Sequence, residues 1–270
     1  MSKKGICVFC GAYGDSNEEH FIAQRFRDLF PVQTSPDYGQ RFSTYDNELR
    51  RYRVDVDRKP RSPWNMTVRV GEKCCNESWM AALDTMAAPV LNEALTTRSR
   101  LITQSQLHAL AAWAAKVSAL HELARHATDG TPTAMTLEDR RHVRRHRRPP
   151  FGTRVWLAAG EWHRDALPSI DQTTFRMFTK EVGRPPDDRR DTHSTTIYFG
   201  HLVLQVYGTT SQTLLKPNGP FQEHSAQIWP DPPRGGVMWP AKLFTEQEVK
   251  GLARSIEQSL TGRIAPIGPT

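Results

Sequence analysis

The four cysteines of this 270-residue chain all lie in two places, Cys7-Val-Phe-Cys10 near the start and the doublet Cys74-Cys75. Cysteines grouped in this way read as metal ligands before disulfides. A Cys-x-x-Cys turn sets two thiolates on one side of a tight bend, which is half of a tetrahedral zinc site. The other half has to come from Cys74, Cys75 or both. Adjacent residues of a strand point to opposite faces, so two ligands from the doublet require a turn or bulge there. Glu72, three residues before Cys75, is the alternative fourth ligand. The spacing therefore predicts a structural Zn²⁺ bound by Cys7, Cys10, Cys74 and Cys75, with Glu72 able to replace one of them.

Composition narrows the partners. With 38% apolar residues, no stretch approaches the ~20 consecutive ones a spanning helix needs. Met1-Ser-Lys-Lys-Gly5 is basic and lacks an apolar signal core. A cytoplasmic protein without a membrane partner is expected. The formal charge is +7, carried by 27 Arg against 9 Lys. A planar guanidinium fork suits phosphate, so the excess points to a polyanion; a GC-rich genome would give the same bias without that meaning. The charge is densest at Arg140, Arg141, Arg144, Arg145, Arg147 and Arg148, six arginines in nine residues. Such a run would contact nucleic-acid phosphates with strong salt dependence. Its bland alternative is a solvated linker. Trp156 and Trp162 could stack on bases, although Trp156 alternates like a core strand residue.

The order of elements predicts an α+β chain. Residues 5–18 form a knuckle, and Phe21–Phe30 have helical spacing ended by Pro31. Tyr52–Val56 and Met66–Val70 alternate like two strands of an elaborated hairpin. An apolar stripe runs from Trp79 to Leu95, with a kink or break into two helices expected at Pro89. A second helix is predicted over 104–126, packed on the first as a helical hairpin. Asp129-Gly-Thr-Pro132 and the arginine run then look like a basic linker over 129–150. Beyond it, Thr153–Ala158, Thr195–Phe199 and Leu202–Tyr207 predict a small antiparallel sheet, the last two strands joined at Gly200-His201. Thr245 and Glu248 have capping-box spacing and open a last helix that packs on that sheet. The expected division is 1–96 for the zinc domain, 97–128 for a connecting helix, 129–150 for the linker and 151–270 for an α+β domain of unassigned role. That last part is free to read a substrate, mediate homodimerisation or bind another protein. Phosphate-binding glycine loops, a Gly-x-Ser-x-Gly elbow and a dinucleotide fingerprint are absent from the sequence.

Cys7-x-x-Cys10, Glu19-His20 and Cys75-Asn-Glu-Ser-Trp-Met-Ala-Ala-Leu-Asp84 together resemble the zinc-containing HNH endonucleases, whose core is a ββα-metal unit. More narrowly they resemble HNH-like proteins of bacteria and phages that carry "EH" near the N-terminus and "CNxxWMxxLE" before a helix. The similarity covers residues 6–95; Ala111-Ala-Trp-Ala-Ala-Lys116 and the later Trp-Pro pairs extend it without adding chemistry. The resemblance implies an endonuclease hydrolysing phosphodiester bonds, with DNA as the expected partner. His20 would be the general base. Asn76 would orient the histidine or brace the hairpin. Glu19 and Asp84 would hold a catalytic Mg²⁺ or Mn²⁺. Three features depart from the family pattern: Glu72 stands where a zinc cysteine is usual, 56 residues separate His20 from Asn76, and Asp84 stands where His or Asn is usual. A reading from another class is a catalytically inactive, zinc-stabilised HNH-like module that binds nucleic acid or a protein, as an accessory protein of phage or defence systems would.

Overall fold

The computed structural model describes residues 3–30, 40–46, 51–57, 62–96, 98–130, 133–161, 168–175, 192–209, 225–240, 243–245 and 248. The chain begins with β1 (Lys3–Ile6) and β2 (Tyr13–His20), followed by β3 (Gln40–Asp46), β4 (Arg51–Asp57) and β5 (Thr67–Gly71). A nine-residue π-helical segment, Glu72–Met80, runs directly into α1 (Ala81–Glu93). Then come β6 (Arg100–Ile102), α2 (Gln104–Asp129) and α3 (Leu137–His146). The remaining elements are β7 (Thr153–Gly160), β8 (Ser169–Phe175), β9 (Thr192–Phe199), β10 (Leu202–Thr209), β11 (Ala226–Trp229), β12 (Val237–Trp239) and β13 (Leu243–Phe244).

Beside a separate antiparallel pair of β6 and β12, two main sheets organise these elements. The small one has the order β1-β2-β5 and is antiparallel. The large one runs β11-β7-β10-β9-β8-β3-β4, with β13 beside β7. The strands at 51–57 and 67–71 are therefore not partners in one hairpin. β4 pairs with β3 in the large sheet, whereas β5 pairs with β2 in the small one. This accounts for the 56 residues between His20 and Asn76: part of that interval leaves the ββα unit and supplies two strands to the other sheet. The large sheet is also not purely antiparallel, because β3 joins β8 and β13 joins β7 in parallel. The division at residue 96 accordingly does not mark a boundary in the sheet.

The helix α2 is the axis of the molecule. Thr103 and Gln106 cap its start reciprocally, and Gly130 ends it in the left-handed region at φ 73°. Alanines at 109, 111, 112, 114, 115 and 119 let neighbours approach from all sides, so the helix is buried all round across its middle. One side meets α1; another meets β9, where Trp113 packs edge-on against Phe199. The β9–β10 turn is the two-residue Gly200-His201 expected, with Gly200 at φ 59°. It is pinned to α1 by the His201 amide donating to the Ala94 carbonyl at 2.7 Å. A Cβ at Gly200 would come within 2.8 Å of that same oxygen.

Two further expectations need correction. The break into two helices does not occur: the helix runs on through Pro89, with Ala87, Val90 and Leu91 buried on either side of it, and the irregular turns lie upstream at 72–80. Residues 137–146 form a helix rather than a linker, because Thr136 and Asp139 make a capping box and Val143 is buried beneath. At the other end, Thr245 and Glu248 exchange the predicted capping bonds. The helix expected after them lies outside the described residues, as does Trp162.

Candidate metal centre and ββα unit

The knuckle closes through short-range bonds. The Gly11 amide donates to the Cys7 carbonyl and the Cys7 amide to the Ala12 carbonyl, each at 2.8 Å, with Gly11 at φ 78°. Cys74 and Cys75 reach the same point from the π-helical segment. A helical turn separates adjacent side chains by roughly 100° rather than opposing them, so the doublet needs no bulge to converge. The sulfurs of Cys7 and Cys75 are 3.7 Å apart and those of Cys10 and Cys74 are 3.5 Å apart. All four lie within 4.8 Å of one another. Four sulfurs about 2.3 Å from a tetrahedral zinc would be separated by about 3.8 Å. The four cysteines are thus arranged to hold a metal such as zinc. Glu72 is not among them: its carboxyl meets that of Glu77, which raises its pKa. The hydrogen bond between the Cys7 and Cys75 sulfurs lowers the Cys7 pKa to about 4, burial notwithstanding.

Next to this cluster, β2, β5 and the helix from residue 72 form a ββα unit. The Asn76 amide donates to Asn17 Oδ1 at 2.7 Å and to the Glu18 carbonyl at 3.1 Å. These bonds brace the strand leading to His20. Strand alternation buries Glu19 and leaves His20 half-buried at the end of β2. His20 Nε2 lies 2.7 Å from Gln24 Nε2. An amide nitrogen can only donate, so this imidazole nitrogen accepts and the proton sits on Nδ1. Burial lowers the His20 pKa, Glu18 opposes the shift and Lys116 adds to it.

Glu19 and Asp84 do converge, but around a lysine. Lys116 Nζ donates to Glu19 Oε1 at 3.1 Å and to Asp84 Oδ1 at 2.8 Å. The indole of Trp113 donates to the same Asp84 oxygen at 2.9 Å. Lys116 is 0% exposed, Asp84 4% and Glu19 6%. Burial works against the ammonium, yet Asp84 and Glu19 outweigh it and raise the Lys116 pKa, so the charge is kept. Burial foremost raises the Glu19 pKa, with Lys116 resisting. A divalent ion shared by these carboxylates would coincide with the ammonium, so the acidic pair as it stands does not fit the expected Mg²⁺ or Mn²⁺. Lys116 was legible as a signal. It is a charge in an alanine-rich stretch, three residues after Trp113 and hence on the same helix face.

The arginines divide into two groups. Arg140 is buried, with Nη1 donating to the Met135 carbonyl at 2.6 Å and Nε to the Phe9 carbonyl at 3.4 Å. Arg141 Nε donates to the Cys10 carbonyl at 3.0 Å. These two fasten α3 to the cysteine knuckle, so Arg140 is a brace rather than a nucleic-acid contact. Arg141 also borders an open cleft of about 560 Å³, together with Lys73, Cys74, Ser78, Trp79, Arg144, Arg145 and Arg147. Arg147 caps α3 at φ 54° and stands 5.2 Å from the centroid of the Trp79 ring. Arg148 is exposed but does not line the cleft.

A third polar cluster lies between α2 and the large sheet. His193 Nδ1 is 3.2 Å from Ser118 Oγ and 3.6 Å from Glu122 Oε1. Both partners meet one ring nitrogen, whereas a proton relay needs them on opposite nitrogens. Ser118 also bonds Thr195 and Gln172, which makes the cluster a buried hydrogen-bond network. Trp156 is likewise buried, in β7, and offers no face to a base. Among the described residues, no helix is long and apolar enough to cross a membrane. Comparison with protein-family models, curated proteins and solved structures finds no match for this chain.

Proposed function

We propose that the chain is a zinc-stabilised, HNH-like module that binds nucleic acid, DNA in the first instance, along the α3 side of its cysteine knuckle. The observation that carries this reading is the cleft. Lys73, Arg141, Arg144, Arg145 and Arg147 surround it, and no carboxylate is among the described residues that line it. Cations gathered on a rigid helix beside a metal knuckle present phosphate-binding forks at fixed spacing, which suits backbone contact rather than base readout. Fluorescence anisotropy of labelled DNA and RNA, titrated with protein at several salt concentrations, tests it. The Arg144→Gln, Arg145→Gln, Arg147→Gln triple variant leaves the Arg140 and Arg141 braces intact. It should bind more weakly, and its salt dependence should flatten by about 0.9 in log–log slope for each duplex phosphate contact removed. Equal affinity and slope in variant and parent would reject the reading.

A second reading, the HNH-type endonuclease, is favoured by one observation: Asn76 braces the strand that presents a neutral His20 at its end. His20 would then take the proton of the attacking water. This reading also asks Glu19 and Asp84 for a divalent ion while both hold Lys116. Plasmid nicking with Mg²⁺ or Mn²⁺, beside a His20→Ala control, separates the two. The binding module leaves the plasmid supercoiled; nicking that disappears in the control makes the protein a nuclease.

A further inference from the structure

The Glu19–Lys116–Asp84 cluster stands apart from the basic cleft, and its three members come from β2, α2 and α1. Charged groups this deeply buried are tolerated when each is compensated in place. Here the compensation is tight: one ammonium serves two carboxylates at 3.1 and 2.8 Å, and the Trp113 indole takes a further position on Asp84 Oδ1. Bringing two carboxylates from separate elements onto one point is what a hard divalent cation requires. An ammonium meets the same need with a single charge and a covalent tether. Being fully buried, Lys116 has no solvent-exposed position to which it can withdraw without local opening.

We infer that Lys116 is a resident cation, its ammonium taking the place between Glu19 and Asp84 that a divalent ion would fill in a ββα-metal unit. The ββα unit is then joined to α2 whether or not Mg²⁺ or Mn²⁺ is present. Removing the lysine side chain converts the acidic pair into a latent metal site. This inference is independent of nucleic-acid binding, and its test uses metal alone.

Terbium(III) reports such a site directly, because indole excitation is transferred to a bound lanthanide and Trp113 is bonded to Asp84. Zinc-loaded protein is titrated with Tb³⁺ in four forms: wild type, Asp84→Asn, Lys116→Ala, and Lys116→Ala with Asp84→Asn. Wild type should match Asp84→Asn, showing no saturable luminescence that depends on Asp84. Lys116→Ala should gain one saturable site, weakened by about tenfold or more when Asp84→Asn removes a charged ligand. Circular dichroism follows folding in parallel. If Lys116→Ala unfolds, recovery of the native spectrum on adding Tb³⁺ supports the inference, and failure to recover counts against it. A saturable site already present in wild type and lost in Asp84→Asn would overturn it, as would a folded Lys116→Ala protein that binds no Tb³⁺.

Discussion

At the scale of single residues, one glycine and one histidine carry testable consequences. Gly71 has an ordinary φ of −67°, so alanine is permitted there by the backbone. The obstacle is space: an added Cβ would lie 2.3 Å from Cys74 Sγ and 3.2 Å from Cys7 Cβ. Both neighbours belong to the cysteine cluster and cannot give way while holding a metal. Gly71→Ala should lower bound zinc well below one per chain and destabilise the protein by roughly 1–3 kcal/mol, as overpacked sites do; metal analysis and urea midpoints check both. His121 is fully buried, and its Nδ1 lies 2.9 Å from Gln172 Oε1, so Nδ1 is the protonated nitrogen. Burial depresses its pKa to about 4; the Gln172 bond opposes this and Arg125 adds to it. The unfolded chain takes up this proton near pH 6.5 and the folded chain near 4. The histidine's contribution to stability is therefore intact above about pH 6.5 and is lost as pH falls towards 4, a difference of about 3 kcal/mol. Urea midpoints of wild type and His121→Gln should converge over that interval; parallel pH curves would contradict the assignment. Single residues were unevenly legible in the sequence. The four cysteines announced their cluster through scarcity and pairing. The His193–Ser118 network was hidden, and Lys116 stood out without naming its partners, because those arrive from elements far away in the chain.

At the scale of elements, the sequence was most informative where a local rule decides the outcome. The helical periodicity of α2 and the Gly200-His201 turn both act within a few residues, and each element lies where its pattern placed it. The errors have one physical character. Tyr52–Val56 and Met66–Val70 alternate equally well, and alternation specifies a strand without naming its partner. The arginine run looked like a linker because charge dominates its composition. Thr136 and Asp139 nevertheless start a helix there, and Val143 is the apolar contact that keeps it docked. At Pro89 a strong local rule was overridden. The proline lacks an amide proton to donate, but the buried residues around it hold the helix against α2. The π-helical turns at 72–80 had no distinct sequence mark, although they are what lets two adjacent cysteines share one centre.

At the scale of the whole molecule, the structure divides its sources of stability. The small sheet, the knuckle and the π-helical segment meet at the cysteine cluster, whereas β7, β9 and β10 are buried around the α2 axis. Stripping zinc with a chelator under reducing conditions should therefore release backbone protection unevenly. Hydrogen exchange is expected to rise over residues 3–20 and 67–80 and in α3, while β9 and β10 stay protected. Uniform exchange across both regions would show that the molecule opens as a single unit. The inclusion of α3 in the weaker set follows from Arg140 and Arg141, whose guanidinium groups end on the carbonyls of Phe9 and Cys10. Those carbonyls keep their positions only while the knuckle is closed. A helix so moored would pass the state of the thiols to the cations it displays. By thermodynamic reciprocity, a polyanion seated on that helix would tighten the hold on zinc as much as zinc tightens the hold on the polyanion. Metal supply would then act as a dial on electrostatic attraction at a surface that contains Cys74, one of the four clustered thiols.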